Sequence, residues 1–272
     1  MDTEKLRAEI NRLSPWAHAI ELAPDVLTAR VGLGGGNADT DVPQIYDPAV
    51  MMRGLVASLY PNGMGGRSFL DCGCNAGGHV FAAKALGAGR CFGFDARQHW
   101  IDQANFVAQY LPSDGASFAT CKLAELPAMQ LGTFDMTLFS GLFYHLPDPV
   151  AGLKVAADLT GELIVVNTSS RPGLKKGLTL SLESATHVMS GVDGLAWLPT
   201  GPDVVRDILA WCGFPHSRVD MDWRPQHGPR GWRRIQVIGA RDASTFADYD
   251  RARPDAAHAP KRRVWRRLLR GR

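Results

Sequence analysis

Apolar residues along this chain change their period in a regular way. Leu6, Ile10 and Leu13 recur at helical spacing and predict a helix near the N-terminus. From Pro43 to about Asn167, helical stretches alternate with short apolar runs. Ser68–Leu70, Arg90–Phe94, Ala116–Cys121, Phe134–Phe139 and Gly161–Val166 read as five strands, with helix-like segments such as His79–Leu86 between them. That alternation predicts parallel strands joined by crossover helices. Asp203–Trp211 reads as a further helix. Ser217–Trp223 and Arg234–Ala240 read as two strands joined across the Pro/Gly-rich stretch 224–229, bringing the sheet to seven strands. The expected architecture is α/β: a mostly parallel seven-stranded sheet, helices on both faces and an antiparallel C-terminal hairpin at one edge.

Residues 168–200 break the alternation with Gly, Ser and Lys, and Leu180–Met189 reads as a helix inside that interruption. An insertion there is expected to shape a substrate pocket. The chain then divides into an N-terminal helical and lid segment (1–45), a main domain (46–240) and a basic C-terminal tail (241–272). Gly32–Asn37 lacks a strand-turn-helix setting and reads as a flexible loop, not a second nucleotide site.

A chain of 272 residues that is 45% hydrophobic can bury a large core, and one decorated domain is the economical organisation. No apolar run approaches the roughly 18 residues of a membrane span, and Met1–Lys5 has no signal-peptide pattern, so a cytoplasmic protein is expected. Five cysteines, 72, 74, 91, 121 and 212, fall mostly in or beside strands and are expected as buried free thiols. Cys72-x-Cys74 has no second ligand pair to complete a zinc set, and nothing in the sequence is a ligand motif for magnesium, so no metal site is assigned. Glu183 and His187 lie four apart on the expected helix; the pair reads either as an exposed helix-stabilising couple or as a contribution to a pocket or divalent metal.

The net charge of +3 hides an asymmetry. Lys261–Arg272 holds seven basic residues and no acid, which leaves the rest of the chain at −4. Val264, Trp265, Leu268 and Leu269 form an apolar stripe among those arginines, suited to an anionic surface or to docking on the chain itself. Without a basic run in the main domain, attraction for nucleic acid is expected to be weak.

Asp71-Cys72-Gly73-Cys74-Asn75-Ala76-Gly77-Gly78 lies between the first strand and the helix that follows it. Small residues at such a turn let backbone approach a ligand and leave helix N-terminal N–H groups free to bind it. The dinucleotide fingerprint is broken in two ways: Asn75 replaces its second glycine, and a carboxylate precedes the first. Asp71 would repel a pyrophosphate and attract an ammonium group, which points to S-adenosylmethionine.

This stretch resembles the acidic-x-Gly-x-Gly-x-Gly motif of the class I S-adenosylmethionine-dependent methyltransferases, whose fold is Rossmann-like. The resemblance implies cofactor contacts from Asp71, Gly73, Asn75 and Gly77, ribose hydroxyls on Asp95, adenine beside Leu123 and Ala124, and Ser140 at the rim. Ser140–Pro149 is similar to the S-x-G-v-L-Y-H loop of the wobble-uridine tRNA methyltransferase-like subgroup, and the likeness covers roughly 45–222. Trp197–Thr200 and Trp211–Phe214 resemble that subgroup's W-x-P-N and A-G-F stretches; Tyr144, Trp197 and Thr200 are the implied substrate contacts. Trp16-Ala17-His18 and Ile20-Glu21-Leu22 are similar to stretches of sugar and natural-product O-methyltransferases, including actinobacterial enzymes of methylmannose polysaccharides.

An alcohol acceptor needs a base, and His145 after the fourth strand is the candidate, with Asp148 near enough to orient it and Tyr144 as substrate contact or alternative base. The expected activity is methyl transfer from S-adenosylmethionine to a hydroxyl of a sugar or small glycan, a mannoside favoured. A wobble-uridine-type tRNA enzyme, a cofactor-holding fold without turnover and a dehydrogenase are the competing readings. The sequence carries no signal for an oligomeric state.

Overall fold

The computed structural model describes residues 2–30, 45–183, 189–224 and 231–253. Eleven strands are found among them: β1 (Glu21–Ala23), β2 (Val26–Leu27), β3 (Phe69–Cys72), β4 (Cys91–Asp95), β5 (Ala116–Thr120), β6 (Phe134–Ser140), β7 (Thr160–Ser170), β8 (Leu178–Leu182), β9 (Leu195–Pro199), β10 (His216–Trp223) and β11 (Arg233–Ala240). The α-helices are α1 (Thr3–Arg12), α2 (Pro48–Leu59), α3 (Gly78–Ala85), α4 (Gln98–Val107), α5 (Pro149–Asp158), α6 (Pro202–Trp211) and α7 (Ala247–Ala252). Their starts follow local rules. Asp2, Asp47 and Asp148 each accept a backbone N–H of the first turn, and Pro48, Pro149 and Pro202 sit where a missing N–H costs nothing.

Seven strands make one sheet in the order β10-β11-β7-β6-β3-β4-β5, with only β11 running against the others. The expected seven-stranded, mostly parallel α/β sheet is therefore present. Its two faces bury different residues because successive side chains alternate. Phe69, Leu138, Val165 and Ile238 face α2, α3 and α7. Leu70, Phe139, Ile164 and Val237 face α5 and α6. A third cluster joins Leu6, Ile10 and Leu13 to Phe81 of α3 and Phe106 of α4. The Gln103 side-chain amide, fully buried, donates to the carbonyls of Leu13 and Pro15 and anchors the N-terminal segment there.

Three sequence expectations change. Leu180–Met189 is not a helix: β8 pairs with β9 in a separate antiparallel hairpin, and residues 184–188 lie outside the described residues. Leu178, Leu180 and Leu182 alternate with Thr179 and Ser181, which is strand periodicity. β7 runs four residues past Val166, because Asn167–Ser170 pair with Arg233–Gln236 although they are polar; the Asn167 amide donates to Gln236 Oε1 at 2.8 Å. Residues 241–253 belong to the folded domain, not to a tail, since Phe246 and Tyr249 are buried in the core. The glycine-rich stretch 32–37, His187, most of 224–229 and the basic segment 261–272 fall outside the described residues.

Gly78 begins α3 where the N-terminal segment crosses it. A Cβ there would lie 2.3 Å from Pro48 Cγ and 2.7 Å from His18 Nδ1. Gly78→Ala should therefore destabilise the protein by about 2 kcal/mol, the usual scale of overpacking, and lower Tm in thermal unfolding; an unchanged Tm would mean that the segment does not press on this turn.

Candidate functional site

β3 ends in the turn that the sequence singles out. Gly73, Asn75 and Gly77 all take left-handed backbone, with φ of 73°, 50° and 73°. Glycine adopts that conformation freely and Asn is the side-chain-bearing residue that tolerates it best, which accounts for the break in the glycine pattern. The Asn75 side chain also accepts the Ala76 N–H at 2.8 Å. At Gly77 a Cβ would come within 2.7 Å of Phe118, so bare backbone is needed there on steric grounds too.

Asp71, at the end of the central strand, is 1% exposed, and its Oδ2 has no hydrogen-bond partner within the protein. An orphaned buried carboxylate oxygen beside three left-handed residues suits a ligand that carries an ammonium group. Asp95, ending the adjacent strand β4, accepts the N–H of Asn75 on Oδ2 at 3.1 Å and that of Arg97 on Oδ1 at 3.0 Å. Burial raises its pKa. The fold thus brings Asp71, Gly73, Asn75, Gly77 and Asp95 to one end of the sheet, the carboxyl end where open α/β sheets take ligands.

On the other side of that end, β6 stops at Ser140 and a one-turn 3₁₀ helix, Phe143–His145, follows. Leu142 packs 3.6 Å from where a Gly73 Cβ would stand, so this loop lies against the turn. The Tyr144 and His145 rings are 4.1 Å apart between centroids. His145 Nδ1 lies 2.8 and 2.9 Å from the two oxygens of Glu183, and the Gly191 N–H is shared between Glu183 Oε1 at 2.9 Å and His145 Nδ1 at 3.1 Å. The carboxylate is the nearer partner of both groups, so the Gly191 N–H is satisfied by Glu183 and the imidazole proton sits on Nδ1, which leaves Nε2 with the lone pair.

Glu183 thus holds the place expected of Asp148. Asp148 instead caps α5 by accepting the Ala151 N–H at 3.0 Å. Glu183 directly follows strand β8, and its partner is His145, 38 positions away in the chain; His187 lies outside the described residues.

Arg234, which sequence reading did not single out, enters the site from β11. Its guanidinium donates to Asn167 Oδ1, to Tyr144 Oη at 3.3 Å and to Ser169 Oγ at 3.4 Å. Among the described residues no carboxylate forms an ion pair with it. Of the other basic residues at strand ends, Lys176 is paired with Asp207 and Arg233 with Asp222.

The remaining expected contacts are more peripheral. Trp197 donates its indole N–H to the Pro147 carbonyl at 3.0 Å and lines a shallow cavity of about 300 Å³ with Pro147, Pro149 and Leu178. Thr200 Oγ1 accepts the Gly177 N–H at 3.1 Å and so closes the β8–β9 hairpin. Leu123 is buried in the core under α5, Ala124 is exposed, and Ser140 is half-buried beside Asn167. All five thiols are free, and burial pushes Cys91 and Cys121 up to about 11. Among the described residues no group of His, Cys, Asp and Glu is arranged to hold a metal ion, and no helix is long and apolar enough to cross a membrane.

Comparison with known proteins agrees with this geometry. Residues 65–187 match the family model described as a methyltransferase domain. A tRNA U34 carboxymethyltransferase of Marinobacter nauticus is 26% identical over 244 residues, 75% of this chain and 70% of that one. The protein of the same name from Alteromonas mediterranea is 31% identical over 166 residues, 57% of this chain and 46% of that one, so the chain spans about half of that relative. The crystallised N-terminal domain of EvdMO1, studied with SAH and D-fucose, superposes with a TM-score of 0.68 at 20% identity, over 88% of this chain and 97% of that one. The bifunctional kinase-methyltransferase WbdD gives 0.54 at 18% identity, over 85% and 46%. These two likenesses concern the fold. Taken together, fold, turn and family match define a class I S-adenosylmethionine-dependent methyltransferase domain in this chain. It is distantly homologous to the tRNA U34 carboxymethyltransferases.

His18 carries a pH signature. It is buried, its Nδ1 accepts the Gly78 N–H at 3.2 Å, and burial followed by the nearby His79 lowers its pKa well below 6.5. An imidazole whose folded pKa is depressed contributes stability that is complete above the unfolded value near 6.5 and is lost as pH falls below it. Tm should therefore drop between pH 7 and pH 5. His18→Asn, which keeps an acceptor for Gly78 but does not titrate, should flatten that drop; an equally steep profile in the variant would assign the acid sensitivity elsewhere.

Proposed function

We propose that this protein transfers the sulfonium-bound carbon of an S-adenosylmethionine-type donor to an oxygen nucleophile, with His145 as the base. The observation that carries this reading is the Glu183–His145 pair at the rim. With Nδ1 committed to Glu183, the lone pair of Nε2 is available to an acceptor hydroxyl as the new bond forms, and the growing imidazolium charge is met by the carboxylate behind it. The donor supplies an already activated carbon, so the protein's work is to hold both partners in line and exclude water. Asp71 takes the donor's ammonium, Asp95 its ribose hydroxyls, and the turn from Gly73 to Gly77 follows its backbone-facing edge. The resemblance would place the adenine beside Leu123 and Ala124 and Ser140 at the rim.

For the acceptor, kinship with proteins named tRNA U34 carboxymethyltransferases favours a wobble-uridine-type substrate over the sugar hydroxyl suggested by sequence resemblance. Two features support that preference. Arg234, held in the site by Asn167 and Tyr144, suits a phosphate-bearing acceptor better than a neutral glycan. Arg234 itself, uncompensated by a carboxylate among the described residues, would face a sulfonium cation; that is favourable only when an anion lies between them. A carboxylate on the transferred group is one such anion. The second reading, methyl transfer to a sugar or small glycan, is supported by Trp197, whose ring borders an apolar shallow cavity beside the catalytic loop. In that reading Tyr144 hydrogen-bonds the acceptor, and Thr200 supports the hairpin behind it.

Turnover should be measured on tRNA and on mannosides, with the methyl donor and with a carboxymethyl-bearing sulfonium donor. Transfer to tRNA, weakened by salt, supports the first acceptor; salt-insensitive transfer to a mannoside from the methyl donor supports the second. In either case His145→Ala should lower kcat about 10² to 10⁴-fold, the usual contribution of a general base, while calorimetric affinity for adenosylhomocysteine stays unchanged. Glu183→Gln should give a smaller loss in kcat. A His145→Ala enzyme within threefold of wild type would remove the base from the mechanism.

A further inference from the structure

Behind the donor turn runs a line of four side chains from three parts of the chain, and elementary hydrogen-bond chemistry fixes its direction. The Gly78 N–H can only donate, and it points at His18 Nδ1, 3.2 Å away. That nitrogen is therefore unprotonated, and the neutral ring must carry its hydrogen on Nε2. His18 Nε2 lies 2.9 Å from Tyr46 Oη, so Tyr46 accepts there and its own hydroxyl hydrogen is left to donate to His79 Nε2, 3.3 Å away. His79 consequently bears its hydrogen on Nδ1, which stands 3.3 Å from Asp71 Oδ2. In the described structure those last two atoms are close without being aligned for a hydrogen bond.

We propose that His18, Tyr46 and His79 form a positioning line that turns the His79 Nδ1–H to Asp71, so that the Asp71 carboxylate stays aimed at the donor's ammonium group. The same line makes the N-terminal segment part of the donor site. Tyr46 is tied to that segment by backbone bonds, the Ala19 N–H to the Tyr46 carbonyl at 2.9 Å and the Tyr46 N–H to the Ala17 carbonyl at 3.2 Å. His18 and His79 are 2% and 3% exposed, whereas Tyr46 is 36% exposed with its hydroxyl set between the two buried rings. A protonated His79 would compete with the ammonium for Asp71, and Tyr46 disfavours that form by occupying Nε2 as a donor. The charged and titratable groups whose fields reach Tyr46 are Asp71, Arg234 and Tyr144, and His79 faces His18. Burial, and after it the Asp71 charge, raise the phenol's pKa and hold it protonated, as the line requires.

This inference rests on Asp71 as the ammonium site, and Asp71→Asn tests that premise separately. Calorimetry with adenosylhomocysteine should show affinity lowered at least tenfold in Asp71→Asn, and about tenfold in Tyr46→Phe and His79→Ala, the scale of one hydrogen bond to a charged group. His79→Asn, whose amide N–H stands near the place of Nδ1–H, should return to within threefold of wild type. kcat at saturating donor should hold in Tyr46→Phe, a variant that keeps the ring and is buried least. Nitrogen chemical shifts should report the Nδ1–H tautomer of His79 in the wild-type protein and its loss in Tyr46→Phe. Wild-type affinity in Tyr46→Phe, an Nε2–H tautomer of His79 in the unmutated protein, or His79→Asn no better than His79→Ala would each overturn the positioning line. Unchanged affinity in Asp71→Asn would instead overturn the ammonium site itself.

Discussion

Asp71 is an ionisable side chain with 1% of its surface exposed, placed at the carboxyl end of the central strand with one oxygen unpartnered. Leaving a carboxylate in such a place costs several kcal/mol even after relaxation, and the fold tolerates it only because the surroundings are polar in the right sense. His79 stands beside it with Nδ1 3.3 Å from Oδ2, and the turn from Gly73 to Gly77 leaves the strand in left-handed backbone. In the proposed site an arriving ammonium group would restore what burial removed. Donor binding would then be linked to the stability of the centre of the sheet, and the N-terminal segment would share in that linkage because His18 and Tyr46 bond to the same turn.

The acceptor side is organised differently. Its groups hang on the half of the sheet that contains the reversed strand and on the β8–β9 hairpin outside the sheet. β11 supplies Arg234, β7 supplies Asn167 and Ser169 as its supports, and the end of β8 supplies Glu183. Trp197 fastens the hairpin to the loop that carries His145 through the Pro147 carbonyl. A change in the hairpin is thus expected to reach the base through Glu183 and the loop through Trp197. The donor side would stay as it is, since it is held by β3, β4 and α3.

This division explains what could be read in the chain beforehand. The donor turn is local: Asp71 to Gly78 are eight consecutive residues, and their spacing carries the chemistry. The parallel strands were legible because they are buried on both faces and read as short apolar runs. β7 was read too short because Asn167, Thr168 and Ser170 are buried polar residues whose partners, such as Gln236, are some 70 positions away. Glu183 is hidden for a related reason: a period-two stretch of only five residues is too short to declare itself a strand, and the carboxylate's partner His145 lies in another loop. Asp148 was close to His145 in sequence, but an Asp-Pro step at a helix start is used locally as a cap.

Arg234 shows the limit most clearly. In sequence it is one of several arginines before an ordinary apolar strand, and nothing local marks it. Its meaning appears only when the register of β11 against β7 sets it opposite Ser169 and within reach of Tyr144. A guanidinium at that position is at odds with a site built only for a cation, since the sulfonium and the arginine would repel at short range. The contradiction disappears if the site always works with an anion present, on the acceptor or on the group being moved. The two halves of the pocket then have complementary electrostatic tasks. In the proposed reaction the Asp71 side would neutralise the donor's ammonium, and the Arg234 side would neutralise the negative charge that accompanies transfer. Which anion that is depends on the non-local half of the molecule, which is why the donor can be inferred from eight residues and the acceptor cannot.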